Sequence, residues 1–286
     1  MEVPKALEFT EKRMPEIPAS GPLLSGLIAL AREAGQVILR FYDGGAEVAL
    51  KADATPVTAA DVAAEEVILA GLRRLAPEIP VIAEEAVARG AVPRAARRFF
   101  LVDPLDGTKE FISRNGEFTV NIALIEAARP VAGVVYAPAI GRLFWGEQGR
   151  GAAEARIALL GAIGAAPPEV RRIAAAPARP GAPIRVVASR SHRDSETDRF
   201  LASLGKCEVV SAGSSLKFCL VASGEAEVYP RFGRTMEWDT AAGHAVLAAA
   251  GGSVKTAAGG PLLYGKEAEG FANPAFIASA EPLQGN

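Results

Sequence analysis

Leu101-Val102-Asp103-Pro104-Leu105-Asp106-Gly107-Thr108 joins an apolar run to two acids, a proline and a glycine. The apolar run that leads into it, Phe99-Phe100-Leu101-Val102, predicts a short buried strand. Pro104 fixes its own φ and restricts Asp103 to extended geometry. Asp106-Gly107 signals a turn. The strand is therefore expected to end by turning two carboxylates, and the Leu105 carbonyl between them, toward one small region. Hard cations such as magnesium bind oxygen clusters of that kind. The plain alternative is an acidic turn at a strand end, and the rest of the chain has to decide.

Composition narrows the classes. The 286 residues suffice for one large domain or two ordinary ones. The chain is 50% hydrophobic and 22% charged, which marks a globular rather than a disordered protein. A net charge of −2 with no basic block argues against nucleic-acid polymers as partners. Cys207 and Cys219 sit in apolar stretches without metal-type spacing, as buried thiols in a reducing compartment would. The first twenty residues carry Glu2, Glu8, Glu11 and Glu16 and no apolar core, unlike a signal peptide. No uninterrupted apolar run spans a bilayer. The expectation is a soluble cytoplasmic protein, with oligomerisation and a peripheral contact at the inner membrane left open.

Taken in order, residues 1–21 read as a loosely ordered arm. From Pro22 a helical face follows, Leu24, Leu27, Ile28, Ala31, Gly35, Ile38 and Tyr42, stopped by Gly44-Gly45. After a polar loop, a second helix is expected over 59–75. Thr58 and Asp61 form its capping box, so capping alone would explain Asp61. Val81-Ile82-Ala83 is a short strand that delivers Glu84 and Glu85. Runs at 118–125, 131–136 and 142–145 are strands whose short connections make them antiparallel neighbours. The portion 22–146 is thus two helices on an antiparallel sheet. Residues 147–183, rich in Ala and Pro, are expected to be a connection with at most a short helix. In 184–286 strand and helix alternate, which implies a smaller α/β layer. Helices are expected at 194–204, 214–223 and 240–250.

The acids that end strands or begin helices are Glu84, Asp103, Asp106 and, far along the chain, Asp239 in Glu237-Trp238-Asp239-Thr240. Taken alone, Asp239 reads as a helix N-cap. Taken together, such acids could not stay ionised at one point without cations. Two divalent ions ~3.5–4 Å apart would make them a phosphoryl-transfer site. Gly107-Thr108 and Gly213-Ser214-Ser215 each precede a helix and could offer N–H groups to an anion, or merely cap. Lys217, Arg231 and Arg234 lie near in sequence. Walker, nucleophile-elbow and His-rich metal motifs are missing. His244 reads as a packed helix residue.

These pieces, in this order, resemble the inositol monophosphatase superfamily of magnesium-dependent, lithium-sensitive phosphatases. The match lies in Glu84-Glu85, Asp103-Pro104-Leu105-Asp106-Gly107-Thr108, and Trp238-Asp239 with Ala241-Ala242-Gly243. Lys109-Glu110-Phe111-Ile112, the run from Arg114 to Ile122, Ser189-Arg190-Ser191-His192, Gly213 to Cys219 and Tyr229 to Gly233 resemble the bacterial CysQ-type 3′(2′),5′-bisphosphate nucleotidases. The resemblance implies an αβαβα layered sandwich. It implies two or three magnesium ions on Glu84, Asp103, the Leu105 carbonyl, Asp106 and Asp239. Asp61 and Thr108 would orient the attacking water, with Glu84 beside them. Gly107 and Thr108 would hold phosphate, and Gly213, Ser214, Ser215, Lys217, Arg231 and Asp239 would contact a nucleoside bisphosphate. Inositol 1-phosphate, sugar phosphates and histidinol phosphate are the alternative substrates.

Overall fold

The computed structural model describes residues 21–44, 48–50, 56–91, 94–157, 168–188 and 195–281. The N-terminal arm and the Ser189-to-His192 run lie outside them. Two helices open the fold, α1 (Pro22–Gly44) and α2 (Ala59–Leu75), with a small antiparallel pair between them, β1 (Val48–Leu50) and β2 (Pro56–Thr58). Both helix predictions hold, and the Thr58–Asp61 capping box is present. By length and apolarity α1 could cross a membrane, yet it buries Leu24, Leu27, Ile28, Ala31 and Ile38 in the protein core.

A seven-stranded sheet follows, in the order β3 (Val81–Ala83), β4 (Arg98–Asp106), β5 (Thr119–Glu126), β6 (Arg129–Ala137), β7 (Arg142–Glu147), β8 (Gly151–Arg156) and β9 (Glu169–Ile173). Short helices α3 (Glu84–Ala88) and α4 (Thr108–Ile112) interrupt it. Its central strands are apolar on both faces because both faces are covered. In β4, Phe100 and Val102 join the core under α1 and α2. Phe99 and Leu101, which alternate with them, join a second core on the opposite face.

The second core is shared with α6 (Leu216–Ala222) and α7 (Glu237–Ala249). Beyond them lies a five-stranded mixed sheet. It is built from β10 (Ile184–Ala188), β11 (Cys207–Ser211), β12 (Val228–Arg231), β13 (Ser253–Thr256) and β14 (Phe276–Ser279), in the order β11-β10-β12-β14-β13. Helix α5 (Ser195–Ser203) covers its outer face, where Leu201 meets Val186 and Val228. The layers are therefore αβαβα, as the resemblance implies. Helix α7 comes close to the first sheet because Gly133 and Gly146 face it. A Cβ on Gly133 would stand 2.6 Å from the Ala242 carbonyl oxygen, and one on Gly146 would stand 2.9 Å from the Val246 Cα.

Two elements depart from the expectations. The connection expected over 147–183 carries β8 and β9, which extend the first sheet. Their apolar positions are mostly alanines, which leave little strand signal. Pairing with β7 and the ion pairs of Glu154 with Arg142 (2.8 Å) and Arg171 (2.6 Å) hold them instead. Helix α7 begins at Glu237, three residues before the predicted start. Asp239 is consequently inside the first turn rather than at the N-cap, and it accepts the Met236 N–H at 2.8 Å.

Candidate active site

The opening stretch forms the end of β4, and its geometry is unusual for a strand. Residues three apart on a regular strand face opposite ways. Here the pairing jumps from Asp103↔Asn121 to Asp106↔Thr119, so β4 spends three steps where β5 spends two. The extra residue is a bulge placed where Pro104 could not donate to the ladder anyway. It turns Asp103 and Asp106 to the same side, the side of α6 and α7, while Leu105 packs under α1 and α2. Strand β3 runs parallel beside β4, with Ala83 opposite Val102. The next residues, Glu84 and Asp103, thus come out together at the carboxyl ends of the two strands.

Asp239 arrives from α7. One carboxylate oxygen each from Glu84, Asp103 and Asp239 lie within 4.8 Å of one another. Asp103 is 1% exposed and accepts the Leu105 N–H at 3.0 Å. Asp106 stands beside the group and accepts hydrogen bonds from Ser214 Oγ (2.6 Å) and Asn121 Nδ2 (3.5 Å). Burial, then the nearby Asp106 and Glu84 carboxylates, push the Asp239 carboxyl well above its ordinary range. That repulsion is what a divalent cation relieves. The donors are all oxygen, without His or Cys, so the set fits magnesium.

Asp61 serves two purposes with two oxygens. Its Oδ2 accepts the Thr58 N–H (2.8 Å) and the Thr58 hydroxyl (2.7 Å), closing the helix cap. Its Oδ1 faces the Thr108 hydroxyl at 3.4 Å. Capping and site geometry therefore coexist in one side chain. Gly107 caps α4 with φ +89°, a left-handed conformation that favours glycine, and Thr108 begins the helix.

A cleft of about 230 Å³ is lined by Glu84, Asp106 and Asp239, by Gly107, Thr108 and Ser214, and by Lys217, Tyr229 and Arg231. A second arm of about 760 Å³ leaves the same acids along Val87, Ala88, Met236 and Trp238. Lys217 is buried and its ammonium lies 5.5 Å from the Tyr229 ring centre. Burial lowers its pKa to about 8, with Arg231 adding to the fall and Asp106 opposing it. Arg231 donates to the Arg234 carbonyl, and its buried Nε has no hydrogen-bond partner among the described residues. Gly213 and Ser215, expected as substrate contacts, lie next to this cleft without lining it. Ser215 is buried, and its hydroxyl donates to the Asp239 carbonyl at 2.6 Å rather than capping α6. Gly213 packs against Glu110 and Glu117. His244 hydrogen-bonds Tyr264, and burial lowers its pKa to about 3, so it carries no charge at neutral pH.

Sequence reasoning passed over Glu65 and Glu237. Both are buried acids within one helical turn of a site residue. Their partners are distant in sequence, so only a buried-face acid on a predicted helix could have hinted at them.

The family model described as inositol monophosphatase family matches residues 21–282. The chain belongs to the inositol monophosphatase family. Magnesium dependence is general in this family. Among its members, the 3′(2′),5′-bisphosphate nucleotidase CysQ of Shigella flexneri is 49% identical over 259 residues, 90% of this chain and 99% of that one. The crystal structure of CysQ from Bacteroides thetaiotaomicron superposes with a TM-score of 0.73 at 44% identity, covering 89% of this chain and 96% of that one. An inositol monophosphatase from Anabaena superposes with a TM-score of 0.68 at 26% identity, covering 91% of each chain.

Proposed function

We infer that this chain is a magnesium-dependent 3′(2′),5′-bisphosphate nucleotidase that converts adenosine 3′,5′-bisphosphate to AMP and phosphate. The observation that carries the reading is the cleft itself. Its lining combines the acids Glu84, Asp106 and Asp239 with the cations Lys109, Lys217 and Arg231, which suits a metal-assisted site for a substrate with two phosphates. The name carried by relatives of about half-identical sequence supports the same substrate.

Glu84, Asp103, the Leu105 carbonyl, Asp106 and Asp239 would hold two or three ions. Bound magnesium supplies charge neutralisation at the phosphoryl group and acidifies the attacking water. The protein's own groups do the rest. Asp61 Oδ1 and the Thr108 hydroxyl orient the water. The Gly107 and Thr108 N–H groups hold the 3′-phosphate. Lys217 and Arg231 pair with the other phosphate, and Ser214, with Gly213 and Ser215 behind it, shapes the wall near the nucleoside. Water adds to phosphorus, the 3′ P–O bond breaks, and the leaving oxygen takes a proton. The expected partner is this small substrate, and the expected compartment is the cytoplasm, with oligomerisation and peripheral membrane contact left open.

A substrate panel with magnesium, with and without lithium, tests the reading. Adenosine 3′,5′-bisphosphate should give the highest kcat/KM, and lithium should inhibit. Equal or faster release from inositol 1-phosphate, a sugar phosphate or histidinol phosphate would assign the chain another substrate.

The Lys217 pKa gives a second check. The ammonium is charged below about pH 8 and neutral above it. Attraction for a phosphate is therefore lost as pH rises, and kcat/KM, which reports the free enzyme, should fall above about pH 8. Lys217→Met should raise KM at neutral pH by about 10- to 100-fold, the worth of one hydrogen bond to a charged group. It should also flatten that limb of the profile.

A further inference from the structure

We propose that Glu65 is a positioning residue for Glu84, acting through the backbone of the short helix that Glu84 opens. Helix α3 has only five residues, and its N-cap, Ala83, has no side chain able to cap it. A helix that short has no stability of its own, and its first N–H groups need acceptors. Glu65, brought from α2, supplies them. Its Oε2 accepts the N–H of Glu85 at 2.9 Å and of Ala86 at 3.2 Å. Its Oε1 accepts from Arg89 Nη2 at 2.6 Å, at the other end of α3. One carboxylate, 1% exposed, therefore grips both ends of the helix.

The consequence reaches the metal ligands. Asp61 and Glu65 are four residues apart on α2, one helical turn. The residue that faces Thr108 and the residue that fixes α3 thus share one rigid rod. Strand pairing brings Glu84 beside Asp103, and that rod fixes the turn of helix that Glu84 opens. Groups that orient a metal ligand without touching the ion typically change affinity 10- to 100-fold.

The inference rests on the reading of Glu84 as a metal ligand, and the experiment separates the two. The full chain is titrated with Mn²⁺, free ion being read by electron paramagnetic resonance, well below the unfolding temperature of each variant. Glu65→Ala should weaken Mn²⁺ binding about 10-fold or more. Glu65→Gln keeps an oxygen for both N–H groups and loses only the Arg89 pair, so it should restore most of the affinity. Kinetically, Glu65→Ala should raise the magnesium concentration needed for half-maximal rate and leave KM for the bisphosphate unchanged. Wild-type Mn²⁺ affinity in folded Glu65→Ala overturns the proposal and leaves Glu65 a structural cap. If Glu65→Ala does not fold, Glu65→Asp withdraws the carboxylate by one methylene and keeps its charge. Weakened Mn²⁺ binding would then support the clamp, and unchanged binding would overturn it. A Glu84→Gln control with wild-type Mn²⁺ binding would overturn the ligand reading itself, and the clamp with it, independently of which phosphomonoester is turned over.

Discussion

Replacing Asp239 with asparagine is expected to lower kcat about 10³-fold, a barrier increase of about 4 kcal/mol, by removing the carboxylate proposed above as an anionic metal ligand. The same change should leave the metal-free protein at least as stable as wild type. Burial and the Asp106 and Glu84 charges all oppose ionisation of Asp239, so a neutral side chain relieves repulsion. An asparagine oxygen still accepts the Met236 N–H that closes the first turn of α7. Asp239→Ala removes that acceptor and should lower Tm as well as kcat. Turnover of Asp239→Asn near the wild-type rate at saturating magnesium would sink the metal assignment. A fall in its metal-free Tm would sink the charge argument.

The second large effect concerns the residue two places earlier. Glu237 has no solvent exposure and is held by the Gly265 N–H (2.7 Å), the Lys266 N–H (2.8 Å) and the Lys266 ammonium (2.6 Å). Removing one partner of a buried pair strands the other charge, at a cost of about 3–5 kcal/mol. Lys266→Met should destabilise the fold by about that amount in denaturant titrations. The double variant Glu237→Gln with Lys266→Met should recover most of the loss, since no lone charge remains. A single-variant loss below about 1 kcal/mol would mean that water reaches Glu237. Helix α7 starts at this pair, so Lys266→Met should also loosen Asp239 and weaken metal binding.

Much of this was legible in the sequence because the signals are local. The Thr58–Asp61 cap, the strand-to-acid junctions at Ala83-Glu84 and Val102-Asp103, and the continuous apolar run of β4 each lie within a few residues. The family resemblance joined those pieces into a site. What stayed hidden depends on long-range pairing. The bulge at Pro104 exists only against β5, the Glu65 grip spans two elements, and β8 and β9 are strands because β7 and an ion-pair network hold them. Glu237 at the start of α7 was misjudged for a local reason. Asp239 is a favoured N-cap residue, which set the expected start at Thr240, whereas it occupies the third helical position.

Helix α7 lies between two sheets, with its alanines in a core that both sheets share. Glycines in β6 and β7 bring its backbone against the first sheet. A layer clamped in this way has no plane along which the halves could swing apart, and hinge closure needs such a plane. Among the described residues, the wall that α7 contributes is therefore in place before substrate arrives. Crystals of the protein should accordingly admit a soaked bisphosphate without cracking.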